Sequence, residues 1–147
     1  MSDADLINLY SSRILALAAD IPHHGRLSAP DGTARKRSPL CGSTVTVDVV
    51  VKDGRVAAFG QDVKACALGQ ASAAILGAAV IGRTLPELRA AESQLRAMLK
   101  DAGPVPSAPF DGFEVLLPAR AFKNRHASIL LALEAVCEAM ATAERTT

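Results

Sequence analysis

Two cysteines and one histidine hold the side-chain chemistry of this sequence. Cys41 closes the segment Ser38-Pro39-Leu40-Cys41-Gly42-Ser43 and precedes a strand-like run. Cys66 lies in Ala65-Cys66-Ala67-Leu68-Gly69-Gln70-Ala71-Ser72, where strand-like sequence gives way to helical sequence. His126 lies in Lys123-Asn124-Arg125-His126-Ala127-Ser128, at the head of the last helical stretch. Each stands at the end of an element, where side chains remote in sequence can converge. Thiolates with an imidazole as borderline partner suit zinc or iron–sulfur chemistry, and a thiolate also accepts sulfur from a donor. The third cysteine, Cys137, follows His126 by eleven positions on the same expected helix. At about 1.5 Å per residue the two are roughly 16 Å apart, so one metal cannot take both, and Cys137 is expected to be a packed small hydrophobe. His23 and His24 lie in a loop-like stretch with no evident partner.

The elements that must position these residues are readable from patterning. Apolar residues from Leu6 to Leu17 recur at helical spacing, which predicts a helix over Asp5–Ala19, capped by Ser2 or Asp3 and stopped by Pro22. Residues His23 to Pro39 contain Gly25, Pro30, Gly32 and Pro39 and read as a long loop, able to lie over the site as a lid. Arg35-Lys36-Arg37 within it reads as solvated. Val45, Val47, Val49 and Val51 alternate with polar partners and predict a strand with one buried face. Asp53-Gly54 then predicts a tight hairpin, with Arg55 to Phe59 returning and Gly60 to Lys64 forming a third, short strand or turn. From Ala67 the pattern is helical and rich in small residues. Thr84-Leu85-Pro86-Glu87 is a capping box opening a second helix that runs to about Lys100. A proline-rich connector, Gly103 to Pro109, precedes a short apolar segment (Phe113 to Leu117) and a final helix over Lys123 to Ala143. The order predicts an α+β fold, a three-stranded antiparallel sheet with helices packed against it, as one domain over residues 1–147.

Composition narrows the function classes. Half of the 147 residues are hydrophobic but only 3% are aromatic and Trp is absent, so the core rests on Ala, Val, Leu and Ile. Sixteen basic and fifteen acidic residues leave a net charge of +1, which gives no electrostatic ground for nucleic acid binding. No uninterrupted apolar run approaches the roughly 18–20 residues of a membrane span. The acidic start, Met1-Ser2-Asp3-Ala4-Asp5, is unlike a signal or transit peptide. A cytoplasmic location with reduced thiols is therefore expected.

Taken together, these segments resemble the iron–sulfur cluster assembly scaffolds, the IscU/NifU N-terminal family that includes SufU. Ser38-Pro39-Leu40-Cys41-Gly42-Ser43 is similar to the family's Asn-Pro-x-Cys-Gly-Asp, and Ala65 to Ser72 to its Gly-Cys-Ala-x-x-x-Ala-Ser. Lys123 to Ser128 resembles the basic stretch before His-Cys on its last helix, and Pro22 to Leu27 its Asn-Pro-Arg-x-x-Gly-x-Leu. The resemblance implies a SufE/IscU-like fold and a non-enzymatic scaffold or carrier. Such a protein holds a nascent cluster, by implication a transient [2Fe–2S], or its iron and sulfur precursors, and passes it on. The implied ligands are Cys41, Cys66 and His126, with Ser43 where the family has Asp. The implied partners are a cysteine desulfurase and acceptor apoproteins. A zinc-binding sulfur acceptor of a desulfurase and a degenerate paralogue without metal are the alternatives. The chain departs from the family pattern at Ser43, at Ala127, where a third cysteine would fall, and at Leu117-Pro118-Ala119-Arg120, a reduced Leu-Pro-Pro-Val-Lys. A homodimer sharing a cluster is one way to supply the missing ligands.

Overall fold

Alternating valines build the sheet. Strand β2 (Thr44–Lys52) turns Val45, Val47 and Val49 into the protein, each at most 1% exposed. The structure is a computed structural model that describes residues 10–39 and 42–145. Strand β3 (Arg55–Lys64) returns from β2 through Asp53 and Gly54, both left-handed at φ 54° and 76°. That is the two-residue turn whose twist matches a hairpin, and Asp-Gly tolerates it. The ladder joins Lys52 to Arg55 and Thr44 to Lys64, with a bulge at Val50/Val51. Strand β1 (Gly32–Arg37) pairs antiparallel with the other side of β2, Gly32 opposite Val49 and Arg37 opposite Thr44. The order is β1-β2-β3.

The three-stranded antiparallel sheet is as expected, but two of its members differ. The stretch read as a loop over His23 to Pro39 contains β1. Residues 60–64 are no separate element but the continuation of β3. β1 escapes a periodicity test because Gly-Thr-Ala-Arg-Lys-Arg turns only Gly32 and Ala34 fully inward. It is an edge strand, and its charges oppose pairing with another chain. Arg35-Lys36-Arg37 is therefore strand rather than loop; Lys36 forms an ion pair with Glu138 at 3.3 Å.

Helix α1 spans Ser12–Ala19, with Ser11 Oγ accepting from the Ile14 N–H. The expected start near Asp5 and its caps Ser2 and Asp3 lie outside the described residues. Helix α2 (Ala67–Ala79) follows β3, and helix α3 (Leu85–Lys100) opens on the expected capping box: Thr84 Oγ accepts from Glu87 N–H and Glu87 accepts from Thr84 N–H. After the proline-rich connector, 3-10 turns over Asp111–Ala121 and Lys123–Arg125 lead into helix α4 (His126–Arg145). The last helix thus starts three residues later than expected.

Helix α4 crosses the inner face of the sheet on β1 and β2 and is flanked by α2 and α3, while α1 packs on α2. The approach to β1 depends on Gly32. A Cβ there would strike the Ala139 carbonyl and lie 2.9 Å from Ala143 N. Residues Lys123–Arg145 are long and apolar enough to cross a membrane, a property that no single unbroken run revealed, but 72% of their apolar window is buried inside this fold.

The stretch between α1 and β1 is pinned to the sheet. Gly25 N–H donates to Gln61 O at 2.7 Å and Gln61 N–H to His23 O at 3.1 Å. Asp48, fully buried, accepts from Arg26 Nε (2.6 Å) and Nη2 (3.1 Å), Leu27 N–H (3.0 Å) and Thr33 Oγ1 (2.6 Å). This stretch is fastened along β2 and β3 and does not have the free span of a lid.

Candidate functional site

Three remote segments meet where β2 begins and β3 ends. Thr44 pairs with Lys64, which sets Ser43 and Cys66 just beyond the two strand ends. The loop before β2 is closed on itself: Ser38 N–H donates to Ser43 O at 2.8 Å and Gly42 N–H to Ser38 O at 2.9 Å. Cys66 is the N-cap residue of α2, its carbonyl accepting from Gln70 N–H at 2.9 Å. A helix N-terminus carries partial positive charge and several unpaired N–H groups, a favourable place for anionic cargo. The first turn of α4 supplies the third wall.

The contact among the three is a chain of hydroxyl and thiol groups. Ser128 Oγ donates to Ser43 Oγ at 3.1 Å and lies 3.5 Å from Cys66 Sγ. Ser43 and Ser128 are 4% and 2% exposed, whereas Cys66 is half-buried and so reachable from solvent. Gly69, one turn into α2, makes this approach possible: a Cβ there would lie 2.7 Å from Ser128 Oγ and 2.8 Å from Ala65 Cβ.

The expected ligands are distributed as follows. Cys66 and Ser43 are brought together through Ser128. Cys41 lies outside the described residues. His126 stands at the head of α4, 3% exposed, with Nε2 against the Ala119 carbonyl at 2.9 Å. A carbonyl only accepts, so Nε2 carries the hydrogen, and in the neutral tautomer this leaves the lone pair on Nδ1. A backbone carbonyl holding the far ring nitrogen is the usual outer partner of a metal-binding histidine. The ring borders a separate cavity of about 430 Å³ with Leu99, Lys100, Arg120 and Lys123, so it is not gathered against Cys66 as Ser128 is. Among the described residues, no three His, Cys, Asp or Glu side chains form a metal-binding group.

Cys137 is buried on α4, and burial, with smaller contributions from Glu92 and Glu134, pushes its thiol up to about 12. It is a core residue, as expected. Sequence reading passed over Ser128, because a serine in a first helical turn is ordinary, and over Asp48, which looked like one more outward polar residue of an alternating strand.

The chain matches the NifU-like N terminal domain family over residues 9–112. It belongs to that family. Among solved structures, a NifU-like protein (N-terminal) from Brucella abortus is 43% identical, with a TM-score of 0.94 over 97% of this chain and 99% of that one. A putative iron–sulfur cluster assembly scaffold protein for the SUF system from Fervidobacterium islandicum AW-1 is 18% identical, with a TM-score of 0.80 over 91% and 98% of the two chains. At that identity the likeness speaks to the α+β fold alone. No curated protein matches the chain.

Proposed function

We propose that this chain is an iron–sulfur cluster assembly scaffold that holds a nascent cluster, or its iron and sulfur precursors, and releases it to acceptor apoproteins. The observation that carries this reading is the meeting of Cys66, Ser43 and the first turn of α4 at one end of the sheet. Membership of the NifU-like family supports it. Cys66 is the thiol ligand, half-buried and therefore able to exchange cargo. Cys41, two residues before Ser43, is the second thiol, and His126 offers Nδ1. Ser43 supplies a weak oxygen donor in place of a carboxylate. So weak a set of donors suits a transient cargo better than a resident metal.

A cysteine desulfurase is the proposed sulfur source, and the protein acts without turnover of its own in the cytoplasm. Anaerobic reconstitution with ferrous iron and sulfide, followed by iron and labile sulfide analysis and a visible spectrum, tests the reading. A brown protein whose colour is lost in Cys66→Ser supports the scaffold. Stoichiometric zinc with no iron uptake supports a sulfur acceptor instead, and uptake of neither overturns both.

A further inference from the structure

The molecule offers several features outside the proposed ligands. An open apolar groove of about 730 Å³ lies between α1, α2 and Asp111, but nothing on its surface specifies an occupant. Edge strand β1 goes further, because its backbone and its side chains together specify what joins it.

The register fixes which backbone groups of β1 are free. Ser38 N–H donates to Ser43 O, and the same ladder sets Lys36 opposite Val45, Ala34 opposite Val47 and Gly32 opposite Val49. Hydrogen-bonded pairs of an antiparallel ladder come at every second residue. Gly32, Ala34 and Lys36 therefore turn N–H and C=O toward β2, while Thr33, Arg35 and Arg37 turn theirs away from it. These three residues are exposed, and no further strand pairs with them among the described residues. Their side chains stand on the outer face of the sheet, across from Asp48, Thr46 and Thr44.

The charge on that face is one-sided. Arg35 borders a hollow of about 170 Å³ with Arg26, Thr44, Thr46, Asp62 and Lys64, in which Asp62 is the one carboxylate. Arg26 is engaged by Asp48, and Lys36, on the inner side, by Glu138. Among the described residues, Arg35, Arg37 and Lys64 form no ion pair.

We propose that β1 is a docking edge for an extended acidic segment of a partner protein, which joins the sheet as a fourth strand with carboxylates beside Arg35 and Arg37. An added strand takes its affinity from main-chain hydrogen bonds and its specificity from alternate side chains. Every second side chain of a strand shares a face, so the segment carries its acids two residues apart. Cβ atoms directly opposite across strands are about 4.5–5.5 Å apart, within reach of an ion pair. The charges that oppose pairing of β1 with a copy of itself favour this occupant. A phosphodiester chain would meet the cations, but it lacks the regular donors that the free C=O groups of β1 require. A peptide supplies donors and acceptors together. The proposal goes beyond the scaffold reading and holds whatever Cys66 binds. It sets the partner beside the strand end that leads to Ser43.

The test uses a fluorescein-labelled, capped peptide alternating glutamate with threonine, on the full chain without metal. Anisotropy is expected to show binding that weakens with salt, and hydrogen exchange to slow at the Thr33, Arg35 and Arg37 amides. The same peptide N-methylated at its glutamates keeps its charge but loses the main-chain bonds, and is expected not to bind. Arg35→Glu/Arg37→Glu is expected to weaken the glutamate peptide about tenfold and to bind a lysine–threonine peptide in its place. Should that variant fail to fold, the N-methylated peptide and the exchange pattern of the native chain decide. Equal binding of the N-methylated peptide, unchanged exchange along β1, or a DNA duplex that binds more tightly and protects the same amides would overturn the proposal.

Discussion

Removing the Asp48 carboxylate measures how firmly the stretch between α1 and β1 is held. In Asp48→Ala, Arg26 loses its partner, but its side chain is 53% exposed and returns to water. Thr33 is exposed and does the same. The half-buried Leu27 loses the acceptor for its backbone N–H at 3.0 Å. A buried donor left unpaired costs about 1–3 kcal/mol, so the variant is expected to lose about 2 kcal/mol. For a chain of this size that lowers the melting temperature by about 6 °C. Circular dichroism gives the melt, and hydrogen exchange should show faster exchange at the Leu27 amide. Asp48→Asn, which keeps one acceptor oxygen, should fall between. Acid adds a second signature. Burial raises the Asp48 carboxyl, but hydrogen bonds from Arg26, Thr33 and the Leu27 N–H outweigh it and hold it below its ordinary value. Its contribution is therefore complete above the unfolded carboxyl value of about 3.9 and is lost as pH falls through the lower folded value. The native protein should lose stability over that range more steeply than Asp48→Ala. A variant that melts within 1 °C of native, with an unchanged acid profile, would refute the reasoning.

Two further outcomes follow from the packing at the site. Gly69→Ala gains up to about 1 kcal/mol of helix propensity, but its Cβ would press on Ser128 Oγ and Ala65 Cβ. Overpacking costs about 1–3 kcal/mol, so a net destabilisation is expected in a denaturant titration. A gain in stability would mean that α2 and α4 stand further apart. Cys137, with its thiol pushed up to about 12, should resist iodoacetamide at pH 8 in the folded protein and react in denaturant, whereas Cys66 is modified in both. Mass spectrometry of the labelled peptides reads this, and rapid native labelling of Cys137 would contradict its burial.

The sequence announced those elements whose signal is local. Alternating valines, Asp-Gly at the hairpin and Thr84 with Glu87 each specify a strand, a turn or a cap through neighbours a few residues away. β1 was hidden because its identity comes from pairing with β2, not from its own apolar residues. Gly60 looked like the end of a strand; it sits mid-strand, where a Cβ would lie 2.7 Å from the Gly25 carbonyl. At the site, Cys66 and Ser43 could be named from their positions at strand ends, and their nearness followed from the register of β2 and β3. Ser128 could not, since its role comes from how close α2 and α4 approach across Gly69. His126 was legible as a helix-head residue, but only the structure shows Ala119 fixing which ring nitrogen keeps its lone pair.

X-ray absorption at the metal edge of the zinc-loaded protein tests the central claim most directly, namely that the Cys66 sulfur binds cargo at the junction of β2, β3 and α4. Sulfur scatterers at about 2.3 Å, fewer by one in Cys66→Ser, are the predicted result. A shell of nitrogen and oxygen alone, or a sulfur shell unchanged by Cys66→Ser, would contradict it.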